Sequence, residues 1–146
     1  MFSTVLSATL HGLCVDFVHV EADTSNGLPM FHMVGYLSSE VKEAGERVRT
    51  AIRNTGLNVP AKKIVVNLSP ANIRKRGTMF DLPIAVAILV SLGEISPLLL
   101  KNTLIVGELS LDGAVKDVPG ILPIVMEAKN KGCQICIVPK ENEKEG

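Results

Sequence analysis

Three consecutive cations, Arg74-Lys75-Arg76, stand ahead of Gly77 with no acidic neighbour in the sequence, a pattern that suits contact with phosphate or with an acidic partner. They end a longer basic segment. Residues 42 to 76 hold nine basic residues (Lys42, Arg47, Arg49, Arg53, Lys62, Lys63, Arg74, Lys75, Arg76) against Glu43 and Glu46, a balance of plus seven in a chain whose net charge is zero. A local excess of this kind attracts polyanions while the rest of the surface stays compensated. Arg47, Arg49, Arg53, Lys62 and Lys63 therefore join the triplet as candidate nucleic-acid contacts. Each also has a plainer reading. Glu43 with Arg47, and Glu46 with Arg49 or Arg53, stand at the spacing of helical ion pairs, and Lys62 and Lys63 could guard the edge of a strand.

Other residues capable of chemistry lack the spacing for it. His11, His19 and His32 are scattered over strand-like segments, and Asp16, Glu21 and Asp23 have no assignable partner base. Cys133 and Cys136 form a C-x-x-C within a strand-like run, where residues three apart face opposite ways, and no second pair completes a zinc site. No metal site is assigned. The glycine-rich phosphate loop ending in Gly-Lys-Ser/Thr is absent, so these 146 residues are not expected to hydrolyse ATP by themselves. Aromatic residues make up only 3% of the chain, which argues against a stacking platform for bases. An odd number of cysteines without an export signal argues against a disulfide framework. The longest apolar run, Leu82 to Leu92, is too short to span a bilayer, and the reading is a soluble, cytoplasmic, single-domain chain.

The elements that must position these groups can be read from hydrophobic period. Val5, Ser7 and Thr9 alternate with Leu6, Ala8 and Leu10, and a second alternating run from Leu13 to Val20 predicts a strand pair across His11-Gly12. Asn26-Gly27 marks a turn before a short strand, Met30 to Val34. From Ser38 to Thr55 the period becomes helical, with Val41, Ala44, Gly45, Val48, Ala51 and Ile52 on one face. A strand over Lys62 to Leu68 and a loop over Ser69 to Met79 lead to a helix apolar all round, Leu82 to Leu92, for which Asp81 is the expected amino-terminal cap. On that reading Asp81→Ala costs about 1 kcal/mol and Leu89→Ala about 2 to 5. A strand over Leu104 to Leu109 turns back at Asp112-Gly113; a helix from Gly120 to Lys131 and a strand from Gln134 to Val138 follow. The order predicts an α+β or α/β fold, a mixed sheet with helices packed on it. The polar tail, residues 140 to 146, reads as a solvated exit.

Several runs in this order resemble one family: Ser25-Asn26-Gly27-Leu28-Pro29, Val65-Val66-Asn67-Leu68-Ser69-Pro70-Ala71, Phe80-Asp81-Leu82-Pro83-Ile84-Ala85 and Gly107-Glu108-Leu109-Ser110-Leu111-Asp112-Gly113. They are similar to the amino-terminal domain of the magnesium-chelatase-like AAA+ ATPases, the YifB/ComM competence family. That resemblance implies a fold like the proteolytic domain of Lon and the second domain of ribosomal protein S-five. It divides the chain into a domain over residues 1 to 139 and, over 140 to 146, the start of a linker to an ATPase module. ATP and Mg are implied for the full-length protein, with none in this fragment. The implied partners are the chain's own ATPase module, further copies in a ring and DNA, with no membrane.

Lon-type proteases use a serine nucleophile with a lysine base. By the resemblance these positions fall at Phe80 and Leu122, neither of which can do the chemistry, while Ser91 and Lys116 lie in the same general region. The implied function is a non-catalytic accessory domain of a DNA-processing motor, acting in branch migration or recombination during competence. The alternatives are an assembly domain that never touches DNA and, further off, a Lon-like peptidase.

Overall fold

A computed structural model describes residues 1 to 143. The chain opens with two long strands, β1 (Phe2–His11) and β2 (Cys14–Ser25), paired antiparallel from Phe2 opposite Asp23 to His11 opposite Cys14. The predicted turn at His11-Gly12 joins them. β3 (Met30–Val34) runs parallel to β4 (Lys63–Ser69), which pairs antiparallel with β2. On the far side β1 pairs parallel with β5 (Thr103–Ile105), and β5 with β8 (Ile135–Ile137). The result is a mixed six-stranded sheet in the order β3-β4-β2-β1-β5-β8, an α/β-type domain of the kind expected.

The pleat fixes what each face does. Val5, Val20 and Leu68 lie in register, as do Ala22 and Val66, and all five are buried. On that same face Ser3 donates to the Ala87 carbonyl (2.6 Å) and Thr24 to the Ser91 carbonyl (3.0 Å), both on helix α3 (Asp81–Ser91). Because α3 is apolar almost all round it packs both on this sheet face and on the amphipathic helix α2 (Ala44–Asn54), leaving Leu82, Val86 and Leu89 half-buried. Helix α4 (Ile121–Lys131) lies on the opposite sheet face, where the Lys131 ammonium sits 4.5 Å from the Phe17 ring centre.

Three expectations shift in detail. The helix read over Ser38 to Thr55 is divided at Glu43 into α1 (Ser39–Lys42), capped by Ser38, and α2. The strand read over Leu104 to Leu109 breaks after Ile105, and Glu108–Leu109 (β6) instead pairs with Val115–Lys116 (β7) in a separate hairpin around Asp112 and Gly113. Gly107 makes the break workable: a Cβ there would meet Val115 at 3.0 Å and Leu82 at 3.1 Å, and its amide and carbonyl join Met79 and Leu82. Residues 140 to 142 form a single helical turn in place of a solvated exit. Asn142, 3% exposed, accepts from the Val118 amide (2.9 Å) and donates to its carbonyl (3.2 Å). The remainder of the expected linker, 144 to 146, lies outside the described residues.

Candidate nucleic-acid interface

The loop between β4 and α3 crosses the end of the sheet and touches the segment after β3. The Lys75 amide donates to the Tyr36 carbonyl and the Ser38 amide to the Lys75 carbonyl, both at 2.9 Å, an extended bridge in which successive side chains point to opposite sides. Arg74 and Arg76 are consequently exposed and share one cleft of about 540 Å³ with Tyr36, Asn72, His11 and Asp16. Asp16 stands 3.9 Å from His11, and neither arginine has an acidic partner among the described residues.

Lys75 does not belong with them. Its side chain turns inward, the residue is 0% exposed, and the ammonium donates to the Pro70 carbonyl. Among the described residues it has no ion-pair partner, and burial pushes its pKa below the ordinary lysine value. Three adjacent cations therefore present two charges to the outside.

Arg47 is also engaged internally. Its Nε donates to Asp81 Oδ2 (2.8 Å) and its Nη2 to Asp81 Oδ1 (3.0 Å), a bidentate pair that holds the guanidinium charged. Nη2 also donates to the Glu40 carbonyl (2.8 Å), with Glu43 at 3.9 Å, leaving the side chain 21% exposed. Asp81, whose side chain is 0% exposed, does not cap α3. It is the first residue of that helix, Phe80 stands at the cap position, and its carboxylate also accepts from the Leu109 amide (3.1 Å). Burial pushes this carboxyl above the usual carboxylate range, against the opposing pull of Arg47 and the Leu109 amide. One ion pair thus ties α1, α2, α3 and the β6–β7 hairpin together.

The remaining candidates gather on a different side. Arg49 and Arg53, one turn apart on α2, face Lys62 across a cleft of about 410 Å³ lined also by β3 and residues 58 to 61. The Arg49 guanidinium lies 5.7 Å from the Phe31 ring centre, and Gly45 lets the ring approach α2, since a Cβ there would meet it at 3.0 Å. Lys63 is exposed at the start of β4. It guards no edge, because β4 runs between β3 and β2.

At the two positions implied for a Lon-type dyad, Phe80 is buried in the core and Leu122 is exposed on α4. Ser91 is buried with its hydroxyl donated to the Ile88 carbonyl (2.7 Å), and Lys116 is exposed on the hairpin. Cys133 precedes β8 and Cys136 lies within it; both are free, half-buried thiols, and burial together with Cys133 pushes the Cys136 thiol up. Among the described residues no group of three His, Cys, Asp or Glu side chains could hold a metal ion, and no helix is long and apolar enough to cross a membrane.

Residues 20 to 142 match the sequence model of subunit ChlI of Mg-chelatase. YifB of Escherichia coli is 46% identical over 128 residues, 88% of this chain and 25% of that protein. The competence protein ComM of Haemophilus influenzae is 39% identical over 141 residues, 97% of this chain and 28% of that protein. Lon protease 2 of Bacillus subtilis is 31% identical over 106 residues, 72% of this chain and 18% of that protein. The chain spans about a quarter of the length of the YifB and ComM proteins it matches.

The sheet, its helix layers and these likenesses define an α/β domain related to Lon proteases. The chain belongs to the Mg-chelatase ChlI-like family, where it corresponds to the amino-terminal domain of the YifB and ComM proteins.

Proposed function

We propose that this domain is a non-catalytic accessory part of a magnesium-chelatase-like ATPase that processes DNA, and that it contacts nucleic acid directly. The observation that carries the reading is the exposure of Arg74 and Arg76 in one cleft without an ion-pair partner among the described residues. The Lys75 and Arg47 charges are spent internally and take no part. A peptidase role is disfavoured by a buried phenylalanine and an exposed leucine at the dyad positions. In the whole protein the domain is followed by an ATPase module that uses ATP and Mg, in a cytoplasmic ring of identical subunits. The docking of Asn142 on Val118 supports a boundary between domain and linker nearer residue 143 than 139.

Binding of duplex DNA tests the reading. Log affinity against log salt falls with a slope of about 0.9 per phosphate neutralised, and Arg74→Glu with Arg76→Glu makes that slope shallower by about two contacts. Absent or salt-independent binding sinks it. An assembly role has one observation of its own, an apolar groove of about 240 Å³ between α2, α3 and the β6–β7 hairpin. That role predicts loss of oligomer on deleting the domain, with DNA-stimulated ATPase indifferent to charge reversal at Arg74 and Arg76.

A further inference from the structure

The cleft beside α2 is built differently from the one at Arg74 and Arg76. Its three cations, Arg49, Arg53 and Lys62, meet no carboxylate among the residues that line it, and beside the polar Asn58 its other walls are apolar, with Met30, Val59 and Pro60 next to the Phe31 ring. Arg49 lies over the Phe31 ring, a contact that orients the guanidinium. A cleft of about 410 Å³ falls in the range that encloses a small ligand. Concave shape, clustered positive charge and an apolar wall together suit a ligand with an anionic group joined to a flat, weakly polar body. A nucleotide has that chemistry.

Duplex DNA offers such a cleft only part of what it is built for, because its phosphates lie on outer rails and its bases are stacked and paired inside. A single strand can turn one base out of its stack and present base and phosphate together. We infer that this cleft holds one unstacked nucleotide of a single-stranded nucleic acid, with the phosphate on Arg49, Arg53 and Lys62 and the base against Val59 and Pro60. The inference rests on the nucleic-acid reading of the domain and adds strand discrimination to it. It does not need a row of aromatic platforms, which this chain lacks, because one enclosed base replaces several stacked ones. A free nucleotide carries the same chemistry and is the other source to be distinguished.

The test is fluorescence anisotropy of the chain with a labelled short oligothymidylate, a duplex of equal length and an abasic strand of equal charge, with AMP as competitor. Arg53→Gln with Lys62→Gln alters exposed or half-exposed side chains, and a thermal unfolding curve checks that the variant is folded. This cleft variant is expected to bind the single strand about tenfold more weakly, with a salt slope shallower by about 1.4 for two lost contacts, and the duplex within about twofold of the unaltered chain. The unaltered chain is expected to bind the abasic strand more weakly than the oligothymidylate, with AMP a poor competitor.

Equal binding of abasic and intact strands, or parallel losses for single strand and duplex, overturns the inference. Displacement of the strand by AMP at lower concentration than the strand itself overturns it in favour of a free-nucleotide site. If binding depends on Arg74 and Arg76 but not on the cleft, this inference fails while the nucleic-acid reading stands. If the unaltered chain binds neither strand form, both fail.

Discussion

Replacing Asp81 with alanine separates two accounts of the same residue. As a helix cap its loss costs about 1 kcal/mol. In the structure its carboxylate is fully buried and accepts three hydrogen bonds, two from Arg47 and one from the Leu109 amide. Truncation leaves the Leu109 amide without that acceptor, an omission worth about 1 to 3 kcal/mol by itself. It also leaves the Arg47 guanidinium without its counter-charge, and breaking a buried pair from one side costs about 3 to 5 kcal/mol. Arg47 sits at the lower end of that range because it is 21% exposed and keeps the Glu40 carbonyl and nearby Glu43. The two penalties share one carboxylate and do not simply add, so Asp81→Ala is expected to cost about 3 to 4 kcal/mol, or about 10 °C in melting temperature.

The complementary variant, Arg47→Met, strands the carboxylate instead. Burial already raises the Asp81 pKa, and loss of Arg47 raises it further. A carboxyl with a raised folded-state pKa stabilises the fold fully below its unfolded value and loses that contribution as pH rises through the folded value. Arg47→Met is therefore expected to regain part of its lost stability on acidification from neutral pH, whereas Asp81→Ala does not. Urea unfolding followed by far-ultraviolet circular dichroism is the assay, because the chain has no tryptophan and a single tyrosine. A cost for Asp81→Ala near 1 kcal/mol, with a coupling to Arg47→Met below about 0.5 kcal/mol, would refute the ion-pair account.

Three further substitutions probe the interior. Lys75→Met keeps the backbone bridge to Tyr36 and Ser38 and removes a buried charge whose partner among the described residues is the Pro70 carbonyl, so stability at neutral pH should rise. Because the folded chain lowers the Lys75 pKa, the unaltered chain should also gain stability as pH rises toward the ordinary lysine value of 10.5, while the variant loses that dependence; parallel pH profiles would contradict this. Along α3, Ile88→Ala should cost about 2 to 5 kcal/mol and Leu89→Ala roughly half as much, because Ile88 is 1% exposed and Leu89 lies half-buried in the apolar groove; urea midpoints give the order directly.

Those positions also mark how far the sequence could be read. Strand alternation, the change to helical period at Ser38 and the Asp112-Gly113 turn carry most of the architecture because they are local signals. What they leave out is which distant donor a side chain finds. Asp81 has the residue type and position of a cap, and its partner lies 34 residues earlier. A hint was present: Arg47 falls between Ala44 and Ala51 on the edge of the buried stripe, where a charge needs a partner. Lys75 offered less. Its burial depends on the bridge between Leu37 and Lys75, which joins two loops that have no regular period. The break at Gly107 was likewise hidden, since continuous β-type residues do not reveal where the chain must leave one sheet for another. The two basic clefts could not be separated either, because charge counted along the chain says nothing of which side of the molecule each cation reaches.

Lys75, riveted between two backbone hydrogen bonds and the Pro70 carbonyl, also sets a ruler. Residues two apart on an extended segment emerge about 7 Å from one another on the same side, so the bridge fixes the spacing between the bases of the Arg74 and Arg76 side chains. Ordering a long side chain at an interface consumes about 0.5 to 1.5 kcal/mol, and a mobile loop would add the cost of arresting its backbone. Here the backbone share has already been met during folding. The spacing belongs to the backbone bridge with Tyr36 and Ser38, which Lys75→Met retains, so the charge of Lys75 can be removed without moving the bases of the two arginines.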